Sequence, residues 1–273
     1  MNFYGKSFIF DGISSDLYDL RILNFSQSSP SEGVSTGVIN TMEEWLYRRE
    51  MPYFYGTYYQ NSLEFDLTVG SFSYLDGTSR DTILRWLLGR QRYLPLKIVQ
   101  DDISTFVFNV IFTQINPVYV ANLNYAFKIH AKCDRPWAYY VPPTTIRTYT
   151  PVSNTGLLET LAYYNSSSFS GYNKPIVSFT ISGSAPSSAQ FSIINRTDDA
   201  TGARPFSFTG LQPSEVLTVD NDKGIITTSA SALRMSTFSK NFLRLVQGVN
   251  SLEIYGYATN FTLDTKFARS VGD

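Results

Sequence analysis

The sequence predicts a mainly β protein: an N-terminal β-barrel or sandwich with one α-helix, followed by a C-terminal β-sandwich. Three observations predict it. Apolar and polar residues alternate with the strand period over much of the chain, as in Leu63-Glu64-Phe65-Asp66-Leu67-Thr68-Val69. One segment, 78–89, carries the helical period. Beyond residue 150, short β-type runs recur between Gly, Asn, Asp and Pro turns, and the absence of a fixed repeat excludes a solenoid.

Along the chain, Phe8, Phe10 and Ile13 flank an Asp11-Gly12 turn, and Leu20, Ile22 and Leu23 follow, as expected of two short strands. Residues 26–40 are polar and rich in Gly and Ser, which fits a long exposed loop or a hairpin arm. Met51-Pro52-Tyr53-Phe54-Tyr55-Gly56 reads equally as a core strand or as a subunit contact. Leu63, Phe65, Leu67 and Val69 then share one strand face, with Glu64, Asp66 and Thr68 on the other. In the helix, Thr78 or Ser79 can cap the start and Asp81 suits the first turn. Ile83, Leu84, Leu87 and Leu88 form its apolar stripe, Gly89 can end it, and Trp86 is expected under a neighbouring loop.

Three β-rich runs follow, up to Cys133. Pro136, Pro142 and Pro143 then stiffen the chain, so the domains are expected at 1–142 and 143–273. The run FSKNFLRLVQGVNSLEIYG (238–256) reads as alternating segments around a corner, at the closing edge of the second sandwich.

The chain has 273 residues, enough for one large domain or two ordinary ones. Charged residues make up 16%, against roughly 25% in a typical soluble domain. Tyr (19) and Phe (20) are abundant, which points to a surface that meets other proteins, or to an aromatic-rich core. A net charge of −1 supplies no basic field for a nucleic acid. A single cysteine, Cys133, rules out an internal disulfide. The N-terminus lacks a signal-peptide pattern, and no apolar run has the length of a membrane helix. The expected setting is a reducing cytoplasm, with the triplets at Asn165, Asn195 and Asn260 as chance glycosylation matches.

Candidate chemistry is sparse. His130 is the only histidine; Cys133, three positions on, falls on the opposite face of a strand, so no nucleophilic pair forms. Zinc sites built mainly from His and Cys are excluded. Asp220 and Asp222 resemble the start of a calcium loop, but the position that requires Gly is Ile225, so a hairpin turn is expected. Asp198-Asp199 reads as a turn. Phosphate-loop and nucleophile-elbow motifs are missing. No cofactor, metal or enzymatic activity is expected. The alternative function is carbohydrate binding by the second domain, with Tyr163, Tyr164 or Tyr172 as platforms for host cell-wall glycan.

Five stretches in order resemble the distal tail (Dit) proteins of siphoviruses, phages with long non-contractile tails: SFIFDGISSDLYDLRIL, MPYFYG with LEFDLTV, RDTILRWLLGRQRYLPLKI, FKIHAKCDRPWAYY, and the second half from GYNKPIVSFTISG onward. The closing corner departs from the family: it reads Gln247-Gly248-Val249-Asn250 where Pro-Gly-Asn is frequent. The resemblance implies a galectin-like C-terminal sandwich and a non-enzymatic hub in the tail tip or baseplate of the virion, assembled in the host cytoplasm. It further implies a hexameric ring that joins the tail tube protein to tail-tip and receptor-binding proteins, with DNA passing through its channel and no membrane contact. Met51, Pro52, Tyr53, Phe54, Tyr55 and Gly56 are the expected subunit contact.

Overall fold

The computed structural model describes residues 3, 6–23, 39–47, 50–59, 61–151 and 153–270. It contains two compact units, one formed by Met1–Tyr140 together with Ala268–Asp273, the other by Val141–Phe267. Most of the polar segment 26–40 lies outside the described residues.

The first unit contains β1 (Ser7–Phe10), β2 (Ile13–Ser14), β3 (Arg21–Ile22), β4 (Ile39–Glu44), β5 (Tyr53–Tyr59), β6 (Glu64–Gly70), α1 (Gly77–Leu88), β7 (Leu94–Val99), β8 (Phe106–Val120), β9 (Leu123–Cys133) and β10 (Ala138–Tyr140). The main sheet runs β2-β1-β7-β8-β9-β6-β3, with β10 added on β8. Alternation dictates its core face: Leu63, Phe65, Leu67 and Val69 are all buried, as are Leu94, Leu96 and Ile98 of the β7 strand.

The helix starts one step earlier than the sequence implied. Asp76, not Thr78 or Ser79, is the N-cap; its carboxylate accepts from the Ser79 amide at 2.7 Å. That hydrogen bond holds the Asp76 carboxyl below its ordinary pKa. Asp81 falls beyond the first turn. The buried seam is Ile83, Trp86 and Leu87, while Leu88 is exposed. The reason is Trp86: its ring stacks on Phe8 at 5.7 Å with an interplanar angle of 6° and also meets Phe10 and Tyr18, so it belongs to the core and turns the helix about its axis. Asp76→Ala is expected to lower the thermal midpoint by a few degrees, and Asp76→Asn to retain most of the cap. An unchanged midpoint in Asp76→Ala would show that the cap contributes nothing.

The second unit contains β11 (Thr145–Thr148), β12 (Leu157–Asn165), β13 (Ile176–Ile181), β14 (Ala189–Asn195), β15 (Phe206–Leu211), β16 (Val216–Asp220), β17 (Ile225–Thr228), β18 (Gly248–Gly256) and β19 (Ala258–Asp264); β20 (Phe267–Arg269) then pairs with β10. A five-stranded sheet, β11-β19-β13-β16-β17, faces a four-stranded one, β12-β18-β14-β15. Phe179 and Phe191, one from each sheet, stack at 3.9 Å in the centre of the sandwich.

The run 238–256 differs from its sequence reading in two ways. Residues 238–245 form only isolated bridges, at Phe238 and Leu245, and β18 lies between β12 and β14 rather than at an edge. The intervening corner is held by buried amides. Asn250 Oδ1 accepts from the Val246 amide and from Asn195 Nδ2, each at 2.9 Å, and Asn165 Nδ2 donates to the Leu245 carbonyl at 3.1 Å. Two of the three glycosylation-like asparagines are thus interior structural groups.

Candidate assembly surface

β4 and β5 form a two-stranded ribbon of their own, apart from the main sheet. Register runs from Ile39 opposite Tyr59 to Glu44 opposite Tyr53, with a bulge that leaves Tyr55 without a direct counterpart. At the bulge Gly56 takes φ +130°, a conformation that side-chain-bearing residues rarely adopt. Tyr55 donates its hydroxyl to Glu44 Oε2 at 2.7 Å, closing the ribbon across its two strands; this bond raises the phenol pKa. Tyr59 meets Trp137 edge-on at 5.8 Å.

Both faces of the ribbon are open. Tyr53, Phe54, Tyr55 and Tyr58 are exposed, with Phe54 and Tyr55 each at 61%. Across the turn, Met42, Trp45, Leu46, Tyr47 and Met51 are exposed as well. The core-strand alternative for 51–56 therefore does not hold. A strand buried in a core would hide one face, and this one hides neither. The sequence reading missed the other half of the surface, Met42 to Tyr47, although the signal was available in Trp45-Leu46-Tyr47.

The remaining candidate residues are structural. His130 and Cys133 do fall on opposite faces. His130 belongs to an ionic row across β6 and β9: its Nδ1 lies 2.6 Å from Asp66 Oδ1, Lys132 bonds Glu64 at 3.0 Å and Lys128 bonds Asp66 at 3.3 Å. Cys133 is fully buried, and burial pushes its thiol up to about 12, so it is not a thiolate at neutral pH. Asp220 and Asp222 sit in the β16–β17 turn, where Asp220 Oδ1 accepts from the Asp222 and Lys223 amides and Gly224 has φ +67°. No group of three or more metal-ligating side chains occurs among the described residues. The Asp198 side chain, 7% exposed, sits in its turn, where both Arg204 and Arg244 donate to its Oδ2.

The tyrosines proposed as sugar platforms are dispersed in role. Tyr163 is buried, with its hydroxyl 2.7 Å from Thr265 Oγ1. Tyr172 carries the Arg244 guanidinium 4.0 Å above its ring. Tyr164 is exposed.

Residues 3–135 match the family described as phage tail protein N-terminal domain. Among solved structures, the chain is similar to the Dit protein (gp 19.1) of phage SPP1, described as a paradigm of the hub adsorption apparatus in phages that infect Gram-positive bacteria. The TM-score is 0.64 at 14% identity, covering 96% of this chain and 98% of that one. It is also similar to a chain of the phage p2 baseplate in its activated conformation, with TM-score 0.54 at 11% identity, covering 98% and 99%. No curated protein sequence matches.

Proposed function

We propose that this phage tail protein, Dit-like in fold over nearly its whole length, is a ring-forming hub of the tail tip. Identical copies close head-to-tail into a hexamer through their first units. One side of the ring receives the tail tube protein, and the other carries tail-tip and receptor-binding proteins, with the DNA path through the centre. The hub is non-enzymatic and resides in the virion.

The observation that supports this reading is the β4–β5 ribbon. A two-stranded hairpin is at best marginally stable alone in water. This one exposes Phe54, Tyr55 and Met51 together, in a segment, 51–59, without a charged residue. Such a segment matches an interface centre, where aromatics and Met are enriched, with Glu43 and Glu44 of the facing strand as a charged rim beside it. Interior packing accounts for most phenylalanines, since of those described only Phe54 and Phe72 are prominently exposed; tyrosine dominates the outside.

Sedimentation of the whole protein across concentration, alone and with the tail tube protein, tests the ring. A closed oligomer with a mass six times that of the chain is expected. Met51→Lys/Phe54→Lys should sediment as a monomer with an unchanged thermal midpoint, because both side chains are exposed and neither makes the Tyr55–Glu44 bond that closes the ribbon. A wild-type chain that stays monomeric under every condition would overturn the reading.

A further inference from the structure

A head-to-tail ring needs two different surfaces on each protomer, and the β4–β5 ribbon supplies one. We infer that the other is the end of α1 with the segment 89–93 that follows it. Its arginines Arg85 and Arg92 receive the Glu43 carboxylate of the next copy's ribbon, beside an apolar contact with Phe54. This inference rests on the ring reading and adds where the ribbon goes.

The ribbon's charge is specific. In its paired strands, 39–44 and 53–59, Glu43 and Glu44 are the only charged residues, so this body has two negative charges and no positive one. Arg48 and Arg49, in the turn between the strands, lie outside the described residues. Glu44 is already engaged by the Tyr55 hydroxyl at 2.7 Å. Glu43 is exposed and lies directly opposite Phe54, and its carboxylate has no hydrogen bond or ion pair among the described residues. The ribbon thus offers an open carboxylate next to an open phenyl ring.

Several exposed apolar places on the first unit are open to such a ribbon, and charge decides among them. Leu17 stands between Asp16 and Asp19, which would repel a carboxylate. The end of the β8–β9 hairpin, 117–125, carries no charge to answer one. Val99 has Lys97 on one side but Asp101 and Asp102 on the other. Only Leu88 and Tyr93, each 45% exposed, lie in a purely basic stretch: 82–100 contains Arg85, Arg90, Arg92 and Lys97 and no acidic residue. Asp11 holds Arg90 at 3.3 Å. Arg85 and Arg92 are exposed, and their guanidinium groups have no ion pair or hydrogen bond among the described residues. Arg85 and Leu88 share a helix face, three positions apart. An arginine stem lies along apolar surface while its head pairs with a carboxylate, so this set matches Glu43 beside Phe54.

The test is a charge swap in the whole chain, read by sedimentation under the condition in which the wild type assembles. Arg85→Glu/Arg92→Glu and, separately, Glu43→Arg should each raise the concentration for half-assembly by about tenfold or more. Their thermal midpoints should stay within a few degrees of wild type, since all three side chains are exposed. Combining them in Glu43→Arg/Arg85→Glu/Arg92→Glu restores opposite charges across the contact and should recover most of the assembly. If both reversals assemble like wild type while Met51→Lys/Phe54→Lys does not, the ring stands and the ribbon sits elsewhere. A combined variant that assembles no better than its weaker parent leads to the same conclusion. Either result overturns this inference alone. A wild-type chain that never assembles overturns both.

Discussion

Replacing Arg234 with alanine is expected to cost the second unit about 3–5 kcal/mol, the penalty for leaving a buried charge without its partner. Arg234 and Glu215 have side chains 5% and 1% exposed. Arg234 Nε donates to Glu215 Oε1 at 2.7 Å, Nη2 to Oε2 at 2.6 Å, and Nη1 to the Gly210 carbonyl at 2.9 Å. The Thr228 hydroxyl and the Gln212 amide complete the carboxylate. Burial alone would raise the Glu215 carboxyl pKa; the bonds from Arg234, Gln212 and Thr228 outweigh it and hold the group below its ordinary value.

The sign of the pH dependence follows. A depressed carboxyl contributes stability that is complete above the unfolded value of about 4.3 and is lost as pH falls through the lower folded value. The gap between wild type and Arg234→Ala is therefore widest at neutral pH and narrows in acid. Calorimetry of the whole chain across pH measures it. Glu215→Met/Arg234→Met should recover most of the loss, since a well-packed apolar pair replaces a buried ion pair at little cost. A single-variant loss under about 1 kcal/mol would place this pair among ordinary surface ion pairs.

Gly256→Ala is expected to be as damaging, at about 3–5 kcal/mol. Gly256 ends β18 at φ +107°, where a Cβ would sit 2.1 Å from the Gln190 carbonyl oxygen and 3.0 Å from Phe191 Cα. Those atoms belong to the neighbouring β14, whose Phe191 stacks on Phe179 in the sandwich centre, so relief would shift the core. Gly248, at the other end of β18, is the control. It also has positive φ, +89°, but nothing lies within 4 Å of its Cβ position, so Gly248→Ala should cost only the backbone term of about 1–2 kcal/mol. Equal losses for the two alanines in denaturant unfolding would mean that the close approach at Gln190 carries no weight.

By itself, the sequence determined the local and the alternating. Leu63 to Val69 revealed their buried face because side-chain direction in a strand has period two, and 78–89 declared its helix because no other segment keeps the helical period. His130 and Cys133 could be set on opposite faces from spacing alone. Tertiary structure decided what depends on distant neighbours. Alternation in 248–256 gives a face but not an order, so only long-range pairing made β18 central. Trp86 entered the core because Phe8, Phe10 and Tyr18 were there to receive it. Glu215 found Arg234 beyond the whole β16–β17 hairpin, a pairing that no charge pattern announces. Met51 to Gly56 would read the same in a core or on an interface, since both reward uncharged aromatic residues; the exposure of both faces of its strand came only from the fold around it.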